Sequence, residues 1–210
     1  MNNIPKVSVC MITYNHENFI REAIEGVLMQ KTDFPIELII GEDCSTDNTR
    51  KIVLEYASKY PEIIRPLLPD NNLGVRTNFF NTLNVCRGEY IALCEGDDYW
   101  IDSTKLQSQV DYLAKNKQCS LVHTNGYWLK NKKLIPWIEY EPLSGNVTET
   151  FYYGNIVKTC TALLKSSIIK EFIETSKGLE SNIICDWPLF AFYATKGEFG
   201  YLKKKCQSIA

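Results

Sequence analysis

The sequence is short of several things that define other classes of protein. It has no surplus of one charge: 23 Lys+Arg stand against 25 Asp+Glu, a formal net charge of −2 over 210 residues. The clustered cations that neutralise the phosphates of a nucleic acid are missing, so no nucleic-acid partner is expected. Only two histidines occur, His16 and His123, and the eight cysteines (Cys10, Cys44, Cys86, Cys94, Cys119, Cys160, Cys185 and Cys206) form no CxxC pair and no regular spacing. That argues against a zinc site and against a disulfide framework. Cys10 and Cys94 stand inside apolar runs, as small buried hydrophobes of a reducing cytosol do. No apolar run approaches the roughly 20 residues that span a bilayer, and the start, Met1-Asn2-Asn3-Ile4-Pro5-Lys6, lacks the basic-then-apolar order of a signal peptide. No repeat, low-complexity tract or linker divides the chain, so one domain is expected, in the cytoplasm or peripheral to the inner face of the membrane. Lys203-Lys204-Lys205 supplies at most roughly 3 kcal/mol toward such a surface. Asn146-Val147-Thr148 is a glycosylation sequon that has no use in that compartment.

What the chain does have is 45% hydrophobic residues, ample for a domain of this length, which buries roughly 70% of its unfolded surface. These residues follow a rhythm. Val7 to Thr13 reads as a strand covered on both faces, and Phe19, Ile20, Ala23, Ile24, Val27 and Leu28 recur at helical spacing after it, with Asn15 as the expected cap. Ile36 to Gly41 repeats the strand, Glu42 to Asp47 reads as a polar loop, and Ile52, Val53, Tyr56, Ala57 and Tyr60 form a second apolar stripe. Ile63 to Leu68 and Glu89 to Cys94 predict two further strands. Helices follow them, on Phe79, Phe80, Leu83 and Cys86, and on Leu106, Val110 and Leu113 from about Asp102. Repeated β-α units predict an α/β fold with a Rossmann-like, mostly parallel sheet flanked by helices. Beyond Ser120 the rhythm loosens. Strands are expected at Leu121 to Thr124, Thr161 to Leu164 and Phe199 to Leu202, short helices at Ile168 to Ile173 and Pro188 to Tyr193, and an irregular excursion at Lys130 to Gly145.

Three polar clusters fall at the carboxyl ends of these strands: Thr13-Tyr14-Asn15, Glu42-Asp43 and Glu95 to Asp98. An isolated acid pair is usually a cap or a solvated turn. Gathering acids on one sheet edge costs repulsion, and their convergence predicts a cation among them. Adjacent Asp97 and Asp98 after Gly96 present hard oxygen ligands suited to Mg²⁺ or Mn²⁺ shared with water and a substrate phosphate. No Gly-rich lysine loop of the P-loop type occurs, which leaves phosphate charge to the ion and to Arg76.

Pro5-Lys6-Val7-Ser8-Val9, Thr13-Tyr14-Asn15, Glu42 to Asp47, Asn72-Leu73-Gly74 and Glu89 to Trp100 resemble, in order, the landmarks of family 2 inverting glycosyltransferases with the GT-A fold. Asp186-Trp187 extends the resemblance into the second half. It implies a donor half over residues 1–115 and an acceptor half over residues 116–210. Thr13 and Tyr14 would line the base and ribose pocket with Asn15 beside them, Asp43 would meet the base edge, Arg76 would lie near the nucleotide, and Asp97 would hold the ribose. Asp98 would ligate Mn²⁺ or Mg²⁺ on the diphosphate, Asp186 would be the general base, and Trp187 would wall the acceptor site. On the residues alone Asp186 reads as a helix cap before Trp187-Pro188, and the resemblance makes it the base. His16, following Asn15, is within reach of the nucleotide but reads rather as a surface residue at a helix start, and Trp100 as core or acceptor-loop packing rather than a sugar-stacking platform.

The function the resemblance implies is transfer of a sugar from a nucleoside diphosphate donor, UDP-linked, to a saccharide or lipid-linked acceptor in cell-surface polysaccharide synthesis. Glu42 and Cys44 stand where the family more often has Asp and Gly. The chain also stops at Ala210, before the basic or His-bearing segment that commonly closes over the donor, which raises the alternative of a truncated or inactive nucleotide-sugar-binding homologue. A sugar nucleotidyltransferase would need a Gly-rich basic loop where Tyr14-Asn15-His16-Glu17 stands. A receiver-like phosphoacceptor domain would need an acid pair after the first strand.

Overall fold

The structure, a computed structural model, describes residues 4–131, 133–137, 143–152, 154–175, 186–203 and 208–209. The chain begins β1 (Val7–Thr13), α1 (Ile20–Leu28), β2 (Ile36–Glu42), α2 (Thr49–Lys59), β3 (Ile64–Leu67), α3 (Val75–Asn84) and β4 (Tyr90–Leu93). It continues with β5 (Tyr99–Trp100), α4 (Lys105–Lys115), β6 (Cys119–Thr124), β7 (Tyr127–Lys130) and β8 (Lys133–Pro136). Two 3-10 turns, Thr148–Tyr152 and Thr159–Thr161, lead to β9 (Leu163–Lys165), α5 (Ser166–Thr175), α6 (Asp186–Ala194), β10 (Glu198–Leu202) and β11 (Ser208–Ile209).

Seven strands form the central sheet in the order β10-β6-β9-β4-β1-β2-β3. Every neighbouring pair is parallel except those made by β9, which runs against both β4 and β6. The expected Rossmann-like, mostly parallel sheet is thus present. Its two apolar faces follow from the alternation of β1. Val7, Val9 and Met11 join Ile20, Ile24, Val27, Ile52, Val53, Leu106 and Val110 on one side. Cys10 and Ile12 join Phe79, Leu83, Phe172, Leu189 and Phe190 on the other. Helices α1, α2 and α4 therefore cover one face and α3, α5 and α6 the other, each fully buried aliphatic side chain contributing about 1.5–3 kcal/mol. Ser8 pins the edge remote from the strands' carboxyl ends: its hydroxyl donates to Glu37 at 2.6 Å and accepts the amides of Arg87 and Gly88.

The first-half elements match the sequence expectations, with three differences. Helix α1 starts at Ile20 after Phe19, with no side-chain cap, so Asn15 does not cap it. Asn15 instead adopts φ +56° and ties two loops together, its Oδ1 accepting the Thr46 amide at 2.8 Å. Glu42 belongs to the buried end of β2 rather than to a polar loop.

The third difference lies further on. The supposed irregular excursion holds a hairpin, β7 paired with β8 in the register Trp128↔Ile135 and Leu129↔Leu134. Its tight turn includes Asn131 at φ +51°, a left-handed conformation that Asn tolerates. This hairpin belongs to a second sheet of order β5-β11-β7-β8. Strand β11 follows β10, which is not the last strand as expected. The six cysteines among the described residues are free thiols, and Cys185, Cys206, Lys204 and Lys205 lie outside those residues. Among the described residues no helix is long and apolar enough to cross a membrane.

Candidate active site

Parallel strands deliver their following loops to one edge, and here β1, β2 and β4 deliver three. Between those loops and the start of α3 lies a cavity of about 390 Å³, lined by Ile12, Thr13, Tyr14, His16, Asp43, Asn72, Gly74, Val75, Asn78, Glu95 and Asp97. Thr13, Tyr14, Asp43 and Asp97 are therefore brought together as the sequence predicts. Asn15 is next to the cavity in sequence but bonds the Ser45-Thr46 loop. Arg76 lies on the first turn of α3 with its guanidinium 5.4 Å from the centre of the Phe80 ring, and it is not among the cavity's lining residues.

Asp43 is 2% exposed. Its Oδ1 accepts the Leu73 amide at 2.8 Å and its Oδ2 the Gly74 amide at 2.9 Å, while its carbonyl accepts the Asn72 side-chain amide at 3.0 Å. The Asn72-Leu73-Gly74 turn, with Gly74 at φ +83° as a residue lacking Cβ permits, is thus folded onto this carboxylate. Glu42, beside it, faces away from the cavity and pairs with Arg50 of α2, while its Oε1 accepts the Ser45 amide at 2.7 Å.

Two buried polar atoms at the cavity have no hydrogen-bond partner, Thr13 Oγ1 and His16 Nδ1. A Cβ placed on Gly96 would stand 2.5 Å from the first and 3.0 Å from the second, so only glycine keeps that space. Of the two readings of His16, the preferred one of a surface residue is corrected: it lines the cavity. Its position two residues beyond Tyr14, in the loop leaving β1, was the available signal.

The acids sit at one end of this cavity. Glu95 is pushed up to about 8 by burial and then by the negative charges of Asp98, Asp97 and Asp186. Asp98, 6% exposed, is pushed up to about 7 by burial and by Asp97, against a lowering hydrogen bond from Cys160. Asp97 is exposed and faces the cavity, and Asp98 is not one of its lining residues. The sequence named Glu95 as part of the cluster Glu95 to Asp98 without giving it a role of its own.

Among the described residues no three acids, histidines or cysteines converge closely enough to hold a metal by themselves. The donor set still fits a divalent ion completed by diphosphate oxygens and water. Its oxygens are hard, and burial first, with the neighbouring carboxylates added to it, holds two of them above the ordinary range.

Asp186 opens α6 close enough to raise Glu95. Its Oδ2 accepts the Asn155 amide at 3.1 Å and the Thr159 hydroxyl at 3.4 Å, and its Oδ1 faces its neighbour's backbone, the Trp187 N–H, at 2.7 Å. Trp187 is 44% exposed, and its indole N–H donates to the Phe151 carbonyl at 3.3 Å. Trp100 is core, as expected, with its indole donating to the Cys160 carbonyl at 2.9 Å.

Comparison with known proteins adds the following. A family model described as glycosyl transferase family 2 matches residues 8–172. An uncharacterized protein of Mycobacterium tuberculosis, Rv1520, is 50% identical over 204 residues, covering 93% of this chain and 56% of its own length. The dTDP-rhamnosyl transferase RfbG of Shigella flexneri is 28% identical over 205 residues, covering 93% of this chain and 68% of that protein. The chain thus spans little more than half the length of the first of these relatives. Among solved structures, residues 1–349 of S. aureus TarS with UDP superpose with a TM-score of 0.71 at 18% identity, covering 98% of this chain and 60% of that one. The mannosyltransferase PcManGT of Pyrobaculum calidifontis, with GDP-Man and Mn²⁺, gives 0.70 at 18% identity, covering 98% and 56%. Likeness at this identity establishes a shared fold, GT-A.

Proposed function

The chain belongs to glycosyl transferase family 2, and from that premise we propose that it transfers a sugar from a UDP-linked donor to a saccharide or lipid-linked acceptor hydroxyl, with inversion, in cell-surface polysaccharide synthesis. The observation that carries the reading is the gathering of groups at one sheet edge. A nucleotide-sized cavity is lined by Glu95 and Asp97, and Asp186, which is not one of its lining residues, stands close enough to Glu95 to raise it. The complexes of TarS with UDP and of PcManGT with GDP-Man and Mn²⁺ support a nucleotide-sugar donor and a divalent ion.

In this reading the donor half, residues 1–115, holds the nucleotide. Thr13 and His16 offer hydrogen-bonding atoms left unpartnered by the fold, Tyr14 supplies an apolar wall, and Asp43 fixes the Asn72-Leu73-Gly74 turn while keeping lone pairs for the base. Mn²⁺ or Mg²⁺ would sit on Asp97, the acid that faces the cavity, with Asp98 behind it, and when bound it supplies charge neutralisation for the diphosphate leaving group. The sequence placed that contact on Asp98; its burial favours Asp97 for direct contact. Residues 116–210 form the acceptor half. Asp186 takes the proton of the acceptor hydroxyl as its oxygen attacks the anomeric carbon and the bond to the diphosphate breaks, the electron pair leaving with the diphosphate. Asn155 and Thr159 aim the Asp186 carboxylate for this step. A single in-line displacement needs no enzyme nucleophile, and its stereochemical result is inversion.

Titration calorimetry with UDP and Mn²⁺ tests the donor half. Metal-dependent binding that disappears in Asp97→Ala is expected. Absence of binding by UDP and GDP with either metal, or binding indifferent to Asp97→Ala, would sink the proposal.

A further inference from the structure

Beside Asp186 the second sheet carries a group of side chains that donor binding leaves unused. The rings of Trp128 and Trp137, from the hairpin β7–β8 and the residue that follows it, meet edge to face with centroids 5.5 Å apart. Trp137 packs so closely over Gly126 that a Cβ there would fall 2.3 Å from its ring. The indole N–H of Trp137 is a buried donor with no partner. Trp128 is 46% exposed. Exposed Lys158 places its ammonium 5.5 Å from the centre of the Trp128 ring and 5.9 Å from that of Trp137, a cation held over two aromatic faces.

This group is joined to the reaction centre by the chain itself. Lys158 precedes Thr159, whose hydroxyl bonds Asp186, and β7 is connected through β11 to β5, which begins one residue after Asp98. The aromatic surface and the proposed base therefore flank the same approach. The two halves of that approach differ in charge. Around Glu95 the carboxylates of Asp97, Asp98 and Asp186 repel an anion, whereas Lys158 offers a charge already ordered against rings that also suit the apolar face of a sugar.

We propose that Trp128, Trp137 and Lys158 form an acceptor subsite for a saccharide carrying an anionic group, a phosphate or a carboxylate. The sugar ring lies on Trp128 and the anion meets Lys158, one sugar unit or so outward from the hydroxyl at Asp186. This rests on the glycosyl-transfer reading and specifies its acceptor class. A phosphate would come from a lipid-phosphate-linked acceptor and a carboxylate from an acidic sugar residue.

Saturation-transfer NMR on the full chain tests the subsite, using glucuronic acid, glucose 1-phosphate and neutral glucose in the presence of UDP and Mg²⁺. The charged sugars are expected to bind about two- to fivefold more tightly than glucose, the scale of one partly exposed charge contact. Trp128→Ala should remove transfer to all three, with Trp128→Phe retaining most of it should the alanine variant unfold. Lys158→Gln should bring the charged sugars down to the level of glucose and Lys158→Arg should restore them. Lys51→Ala, at an exposed position of α2, should change nothing. A response to one anion alone supports the subsite and identifies its source. Equal binding of charged and neutral sugars, or a Trp128→Ala signal unchanged from the parent, overturns it. UDP affinity is measured on the unmodified chain in parallel. Failure there strikes the donor reading, whereas UDP binding without any saccharide signal strikes only this subsite.

Discussion

Gly74 donates its backbone N–H to Asp43 across 31 positions of sequence, at 2.9 Å, and the neighbouring Leu73 amide binds the other oxygen of the same carboxylate. One side chain at the end of β2 thus shapes the loop that walls the proposed nucleotide cavity from the side of α3. Asp43→Asn presents an NH₂ group to one of those amides, so a donor faces a donor. Leaving a buried amide unmet costs about 1–3 kcal/mol. Calorimetry should show UDP affinity falling by about tenfold or more, and thermal denaturation should show a stability loss of that size. Retained affinity with lowered stability would confine Asp43 to shaping the loop.

Gly96→Ala tests the space beside Thr13 and His16. Its Cβ meets the Thr13 hydroxyl at 2.5 Å, and the Thr13 Cβ stands at 2.7 Å. Overpacking of this kind costs about 1–3 kcal/mol, which a seven-stranded domain survives. The expected result is a folded protein by circular dichroism that binds UDP much less well. Undiminished binding would show that the ligand does not use this corner.

The buried end of β2 supplies a stability test. Glu42 has a fully buried side chain, and Arg50, whose side chain is 30% exposed, is its cationic partner. Arg50→Ala leaves a buried carboxylate uncompensated and should cost on the order of 3 kcal/mol in urea denaturation. Arg50→Lys should recover part of it. The double variant Glu42→Gln/Arg50→Ala should lose less than Arg50→Ala alone, because no buried charge is then stranded.

His123, in β6, has its pKa lowered from 6.5 to about 4, by burial first, against raising contacts with the carbonyl of Leu143 and the backbone of Thr124. The folded protein keeps this ring neutral where the unfolded chain protonates it. Stability is therefore complete above about pH 6.5 and declines as pH falls toward 4, by about 3 kcal/mol in all. His123→Gln should flatten that part of the stability profile relative to the parent. Comparison of the two cancels the opposite contribution of Glu95, whose raised pKa favours the folded state as pH falls.

Local periodicity made the donor half legible. Strands β1 to β4 are short apolar runs ending in polar turns, and the stripes of α1, α2 and α4 match one face of the sheet and that of α3 the other. What eluded sequence reasoning depends on contacts between distant residues. The Asn15 cap was plausible chemistry, but the chain turns left-handed there to reach Thr46, and the helix starts five residues later. Glu42 looked like a site acid because its partner Arg50 is only a neighbour once α2 folds back. The β7–β8 hairpin was hidden by its lysines and by Pro136, which break an alternating pattern, although Asn131 marked its turn. Resemblance drew attention to Asp97 and Asp98 together, and only burial separates the one that faces the cavity from the one behind it.

Strand β9 runs backward between β4 and β6, with Leu163 opposite Ala92 near the carboxyl end of β4. In the donor half every contributing loop leaves a strand and must return through a helix, which fixes its length and exit direction. Reversal of β9 lets residues 155–161 enter the same edge before their strand begins, tethered at only one end by the sheet. The stretch from β6 to β9 can then lengthen, shorten or change composition without moving the nucleotide cavity. In the proposed reading this frees acceptor preference to change while the donor framework stays fixed.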